Sequence, residues 1–337
     1  MDSVTQGLLG AVMAQAGAKP TELKQATVIG FIAPQLADAD VFIRSSTDSL
    51  LTLQFHRHFS HSLLFIPLGA LLAALLLWPF FRNKIAFSRI YVYSLLGYAT
   101  AGFLDALTSY GTHLLWPFVD QKIAWSVIAI VDPLFSAVLM IALLMSFIRV
   151  RPSFARYGLL VAGCYVCFGA LQQARVQQHI EALALTRQHS ISRQIVKPTL
   201  GNVVLWRSIY QSENHYYVDA IRVGMFGDIT VYEGAAAKVF DLKADSKKLP
   251  STSVLFNDIS RFNDFSDGYL IWMPSQVDAL GDIRYAMLPQ HIAPMWSIVF
   301  DSNKPSQAVT VKTDRHLSKQ QRDMFLAMLL DQPINTK

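Results

Sequence analysis

The chain has 337 residues, 52% of them hydrophobic, with a mean hydropathy of +0.31 and a net charge of +5. Such a balance points to a membrane protein with a soluble part and is long enough for more than one domain. Residues 1–175 carry 12 basic and 8 acidic side chains, residues 176–337 carry 17 and 16, so no basic face argues for nucleic acid as a partner. Cys164 and Cys167, both in one apolar stretch, are too few for a disulfide framework or a cysteine-built zinc motif.

The N-terminus lacks the marks of a secretory signal, since Asp2 stands where basic residues belong. Residues 4–18 read as a helix with small residues (Gly7, Gly10, Ala11, Ala14) on its faces. A second, weakly apolar stretch over 26–43 holds Pro34, Asp38 and Asp40. Both are expected to pack against the bundle rather than to cross it alone. The stretch His56-Arg57-His58-Phe59-Ser60-His61-Ser62 follows, at the mouth of a long apolar run.

Four spans are expected, over 62–81, 85–104, 123–147 and 157–171, since about 20 apolar residues cross a bilayer core. Asp132-Pro133 within the third predicts a kink or a break, because proline removes a helix donor. Arg82, Lys84 and Arg89 lie between the first two spans, and Arg149, Arg151 and Arg156 between the last two. Positive loops stay in the cytoplasm. The histidine stretch, the turn after Asp105 and the C-terminal domain then face the periplasm, in a multi-pass protein of the inner membrane.

Beyond the spans, residues 174–189 read as a helix leading off the membrane. Strand-like stretches follow at 202–210, 215–223, 253–256, 269–273, 285–287, 297–300 and 309–312, rich in aromatic and β-branched residues. A closing helix is expected over 318–330, with Ser318 as its N-cap. The fold class is therefore an α-helical membrane domain (1–175), with about four transmembrane helices plus packed N-terminal helices, followed by an α+β soluble domain (176–337).

Ionisable groups at a bilayer entrance are costly and mark function. One interfacial histidine is more often a hydrogen-bonded surface group than a ligand. Three imidazoles within six residues, with carboxylates in the same half of the chain, shift that balance toward a metal site. Asp38 and Asp40 sit two apart, so an extended or turning segment aims both the same way. His56 and His61 flank a helix start, and Asp105 ends the second span. This donor set suits zinc or another first-row divalent cation. Such a cation acidifies water and polarises a phosphoryl or acyl oxygen, while Arg57 is placed to neutralise a phosphate. The structural alternatives are that Asp105 caps a helix, that Asp132 steadies a kink, and that His113 and Trp116 belong to an interfacial belt.

The pieces MDSVTQGLLGA, PQLADAD, HRHFSHSLLF, GYATAGFLDALTSYGTHLLWPF and VDPLF, in this order over about residues 1–140, resemble the YdjM-like family of inner-membrane-associated proteins classed as metal-dependent hydrolases. PTLGNVVLWR and GDIRYAMLP are similar to a subset carrying an appended C-terminal domain. The family's relation to the helical zinc-dependent phospholipase C and nuclease fold implies metal-assisted phosphoester hydrolysis. It implies metal ligands at Asp38, Asp40, His56, His61 and Asp105, with Arg57 and Asp2 as catalytic residues. Two positions depart from the pattern: Gln6 and Ala101 stand where many members have histidine, so a smaller site, or a degenerate one, is in view.

Two functions from different classes follow. One is a membrane-bound hydrolase of a phospholipid, a lipid-linked phosphate or another phosphoester at the bilayer surface. The other is a non-catalytic scaffold or sensor whose C-terminal domain binds a partner. Arg207 and Arg284, in strand-like segments with aromatic neighbours, are either ordinary structural arginines or face the membrane domain and shape a substrate entrance.

Overall fold

The computed structural model describes residues 1–333, apart from Phe226, Lys248 and Ser275. The chain forms two compact units. The first is Met1–Ile43, Phe55–Gln173 and Leu200–Val203; the second is Arg44–Gln54, Ala174–Thr199 and Val204–Lys337.

The first unit is helical. Asp2 caps α1 (Ser3–Ala16), accepting the Thr5 amide, and α2 (Leu23–Ile32) packs back on it. Gly30 is where the two helices touch: a Cβ there would lie 2.5 Å from both Ala14 Cβ and the Gly10 carbonyl oxygen. Small residues at such a crossing let backbones approach and gain dispersion contact. After α2 the chain tightens into a 3-10 helix, Ala33–Phe42, with Pro34 in its first turn. That turn carries Asp38 and Asp40.

A short helix, α3 (Leu51–Phe55), leads into the histidine stretch, and 3-10 turns at Phe59–His61 and Leu63–Phe65 precede α4 (Ile66–Phe81). Then come α5 (Phe87–Leu107), α6 (Pro133–Arg149) and α7 (Ser153–Thr186). Among the described residues, three helices are long and apolar enough to cross a membrane: Leu63–Phe81, Phe87–Leu107 and Ser153–Thr186. α6 has 17 residues, a rise of about 25 Å against a bilayer core of about 30 Å.

Two expectations are corrected here. The third span does not begin at residue 123. Thr112 and Ile123 form an isolated antiparallel bridge, and the Trp125 and Val127 amides donate to the carbonyls of Ala106 and Leu107 at 2.7 and 2.9 Å. These contacts satisfy the backbone without a helix. Asp132-Pro133 is where the helix breaks and α6 starts, the Asp132 side chain accepting from the Phe135 amide, because proline costs nothing at a first helical position. The last span and the helix expected at 174–189 are one 34-residue helix, α7.

The second unit holds two antiparallel four-stranded sheets. The first sheet is a meander of β1 (Arg193–Pro198), β2 (Leu205–Ser212), β3 (His215–Val223) and β4 (Ile229–Lys238). The short helix α8 (Leu242–Asp245) and α9 (Val254–Phe265) follow. The second sheet is β5 (Leu270–Trp272), β6 (Ala279–Asp282), β7 (Trp296–Val299) and β8 (Thr310–Thr313). α10 (Lys319–Leu329) closes the chain with Ser318 and Gln321 in a capping box. Ile209, Tyr216, Val218, Tyr269, Ile271 and Ile283 form a shared apolar core.

Residues 253–256 are not a strand: Ser253 caps α9 by accepting the Phe256 amide. Residues 285–287 lie outside any strand. Arg207 and Arg284 are structural. Arg207 donates to the carbonyls of Leu288, Pro289, His291 and Ile283, and Arg284 pairs with Asp282 at 2.7 Å. Both guanidiniums are thus engaged within this unit, where they fix the loop after β6.

Candidate metal centre

The site grows from three separated segments of the first unit. The 3-10 turn after α2 presents Asp38 and Asp40, the histidine stretch presents His56 to His61, and the end of α5 presents Asp105. Gly102 lets the second meet the third. A Cβ at Gly102 would lie 2.1 Å from the His61 carbonyl oxygen, so only glycine lets that backbone lie against α5. Asp105 is on the same helix face, three residues on.

Asp40 organises the histidine stretch. Its Oδ1 meets His56 Nδ1 at 2.9 Å, and its Oδ2 accepts the Arg57 amide and the Ser60 hydroxyl, each at 2.7 Å. The Arg57 backbone is left-handed, at φ 63°. That conformation costs a side-chain-bearing residue about 1 kcal/mol. It is held by the Asp40 carboxylate and by Thr112 Oγ1 and the His113 amide, which donate to the Arg57 carbonyl at 3.0 and 3.2 Å. Strain sustained in this way gathers at functional sites. The hydrogen bonds to its carboxylate, led by His56, outweigh burial and hold the Asp40 pKa well below the usual carboxylate range.

His61 is fully buried and oriented by its two neighbours. Nδ1 faces Ser60 Oγ at 3.1 Å and Asp40 Oδ2 at 3.5 Å. Nε2 therefore points the other way, 3.3 Å from Asp38 Oδ1 and 3.2 Å from Asp105 Oδ2. All three of these facing atoms are buried and hydrogen-bond to nothing. Buried polar atoms are nearly always satisfied, so three orphans facing one another ask for an explanation. A tetrahedral cation with ligands at about 2.0 Å separates neighbouring ligand atoms by about 3.3 Å. The two observed separations match that edge, so Asp38, His61 and Asp105 fit a divalent cation.

Burial works against an imidazolium at His61, yet the surrounding carboxylates of Asp105, Asp38 and Asp40 prevail and hold its pKa up at about 10. The same field that attracts a second proton attracts a metal ion. The Asp105 carboxylate also takes the Met1 amine on Oδ1 and the Arg57 Nε at 3.1 Å on Oδ2. The Arg57 side chain lies with its guanidinium 4.8 Å from the Tyr110 ring centroid, and its Nη1 has no hydrogen-bond partner.

The remaining expected residues sit one step away. His56, with a quarter of its side chain exposed, touches Asp40 and not the orphaned trio. Asp2 accepts from the Thr5 amide and hydroxyl, at 2.9 and 2.6 Å, as a helix cap. Gln6 donates to the Pro34 carbonyl at 3.0 Å, and its own carbonyl oxygen is buried and unpaired. Ala101 packs with Ala33, Ala37, Ala70, Ala73 and Tyr98 and offers no donor. Sequence reading passed over Ser60, although it lies inside the motif, and Gly102, whose only signal is its spacing from Asp105.

A cavity of about 520 Å³ in this unit runs from Asp40 and Ser60 along Leu36, Ile43, Phe59, Phe65, Leu72 and Leu76. One end is polar and the rest apolar. A second cluster, His58, His113 and Asp120, lies on the far side of the histidine stretch. Burial, joined by the positive charge of Lys122, pushes the His113 imidazole down to about 4, and burial lowers His58 as well.

Residues 1–176 of the 337 match the family model described as YdjM inner membrane protein. The match covers more than half of the chain, which therefore belongs to that family and is a membrane protein. No curated protein and no solved structure matches it.

Proposed function

We propose that this member of the YdjM inner membrane family is a metal-dependent hydrolase of a phosphoester, borne by a lipid or a lipid-linked group at the bilayer surface. The observation that carries the reading is the buried trio Asp38 Oδ1, His61 Nε2 and Asp105 Oδ2, without hydrogen bonds and spaced like ligands. These three hold the cation, zinc first by donor type. When bound, it supplies Lewis-acid polarisation of a phosphoryl oxygen and an acidified water. Asp40 fixes the His61 ring through Nδ1 and takes His56 on its other oxygen, the outer support such ligands need. Arg57 offers the unpartnered Nη1 to a phosphate oxygen, its charge already balanced by Asp105. Asp2 serves the fold as a cap rather than the chemistry. The apolar groove ending at Asp40 and Ser60 suits an acyl or prenyl chain beside a polar head.

The test is metal content and hydrolysis measured together on detergent-purified full chain. One equivalent of zinc or manganese that disappears in His61→Ala together with activity on phosphoester-bearing lipids supports the proposal. Less than stoichiometric metal after incubation with either ion favours the second reading, a non-catalytic scaffold or sensor. Ala101, which offers no ligand where many relatives carry histidine, is the observation behind that alternative.

For topology we propose four crossings, with α6 as the short one and the C-terminal unit in the periplasm. Cysteine labelling at position 84 and at a C-terminal site should report opposite sides. Labelling of both from one side means α6 does not cross.

A further inference from the structure

The histidine stretch carries a second metal-ligand set that the proposed hydrolytic site does not use. His58 faces the loop that joins α5 to α6. Its Nε2 lies 3.6 Å from Asp120 Oδ1, and His113 Nδ1 lies 3.1 Å from the same oxygen. The two imidazole centroids are 4.5 Å apart. All three ligand atoms fall within 4.8 Å of one another. As in the first cluster, the separations straddle the edge of about 3.3 Å for a tetrahedral cation.

His113 Nδ1 is buried and makes no hydrogen bond, even with a carboxylate oxygen so near, and His58 Nδ1 is likewise unpaired. Asp120, itself a member of the cluster, is the carboxylate that both rings face. Trp116 closes one side of the cluster, 5.6 Å from the His58 ring. Asp120 is largely exposed, with 76% of its side chain open, which leaves an entry path and room for a water ligand.

We propose that His58, His113 and Asp120 form a second cation site, selective for zinc, nickel or copper over magnesium or calcium. Two neutral nitrogens and one oxygen are the donor set of the borderline metals, whereas the hard cations require oxygen ligands. The first cluster differs, with two carboxylates and one imidazole. The consequence for the fold is local: a filled site ties the loop at 113–120 to the histidine stretch. Since His113 and Thr112 both donate to the Arg57 carbonyl, that tie also stiffens the left-handed turn at Arg57.

The experiment is zinc content of the purified full chain after saturation and removal of free metal. Wild type should hold about two zinc ions per chain, and His113→Ala and His58→Ala about one. Asp120→Asn, at an exposed position that does not risk folding, should weaken one site by about 10-fold or more. His61→Ala removes the other ion, so failure of the hydrolytic reading and failure of this one are separable. With manganese in place of zinc, His113→Ala should match wild type. Equal zinc in wild type, His113→Ala and Asp120→Asn overturns the proposal, whatever His61→Ala does.

Discussion

Each unit buries a group of charges, and the two groups are finished differently. In the C-terminal unit Arg207, Arg284 and Asp282 are all buried or nearly so, with Lys197 beside them, its charge suppressed by burial. Arg207 spends its two Nη nitrogens on four carbonyls, and Arg284 holds Asp282 through three nitrogen–oxygen contacts of 2.7 to 3.2 Å. Among the facing atoms only Arg207 Nε lacks a partner. In the N-terminal unit three facing atoms lack a hydrogen bond, although Arg57 Nε stands 3.1 Å from one of them. A buried charge costs several kcal/mol unless paired and hydrogen-bonded. A satisfied cluster is accounted for by the fold it braces. An unsatisfied one is open to the cation proposed above.

The largest effect should come from the unsatisfied cluster. His61→Ala removes the only nitrogen of the trio, and we expect metal content to fall by about one ion per chain and hydrolysis to become undetectable. The fold should survive, since Asp40 keeps its bonds to His56, the Arg57 amide and the Ser60 hydroxyl when the ring is lost. A variant that keeps its metal at wild-type level erases the distinction between the two clusters.

The satisfied cluster should give the opposite pattern. Arg207→Met leaves four carbonyls without their donor, and each buried orphan costs roughly 1–3 kcal/mol. Relaxation and water recover part of this, so a loss of roughly 3 kcal/mol in denaturant unfolding is expected, with metal content unchanged. Loss of metal in Arg207→Met would show that the C-terminal cluster supports the site after all.

His56→Ala sharpens the comparison within the N-terminal cluster. His56 touches Asp40, and Asp40 touches His61, so its removal should weaken metal binding about 10- to 100-fold without abolishing it. An effect as large as that of His61→Ala would make His56 a ligand.

Sequence and structure agree unevenly, and the reasons are local. The helices that the apolar runs marked are present, because 20 apolar residues leave the chain few options. The third run starts late because Trp125, Val127 and Ile128 find backbone partners on the end of α5, a contact that periodicity does not carry. In the C-terminal unit His215–Val223 was legible from its aromatic and β-branched content. Ile229–Lys238, with its run of Gly234 and three alanines, was not. The site's ligand types were readable from the motif. Their arrangement was not: which imidazole faces which carboxylate depends on Ser60, on the Arg57 turn and on the space that Gly102 leaves. His113 reads as a belt residue and Asp120 carries no signal in the sequence, because their partner, His58, lies more than fifty positions upstream.

The smallest effect lies at residues 44–54, the piece of the second unit that immediately precedes the histidine stretch. There Asp48 accepts from Arg261 Nη1 at 3.1 Å and Nη2 at 2.7 Å, and Gln54 takes Nη2 as well. Leu50, at 2% exposure, packs beneath. The Arg261 pairing holds the Asp48 carboxyl below its ordinary value. A carboxylate whose folded pKa is depressed contributes stability above its unfolded pKa, about 3.9, and loses it as pH falls through the folded value. The pair is partly exposed, so its contribution is roughly 1 kcal/mol, smaller in high salt. Asp48→Asn should therefore lower unfolding stability by that amount at neutral pH, with the difference from wild type shrinking below about pH 4. A difference that persists at full size well below that pH would mean that Asp48 acts through its hydrogen bonds to the backbone alone, with no share from its charge.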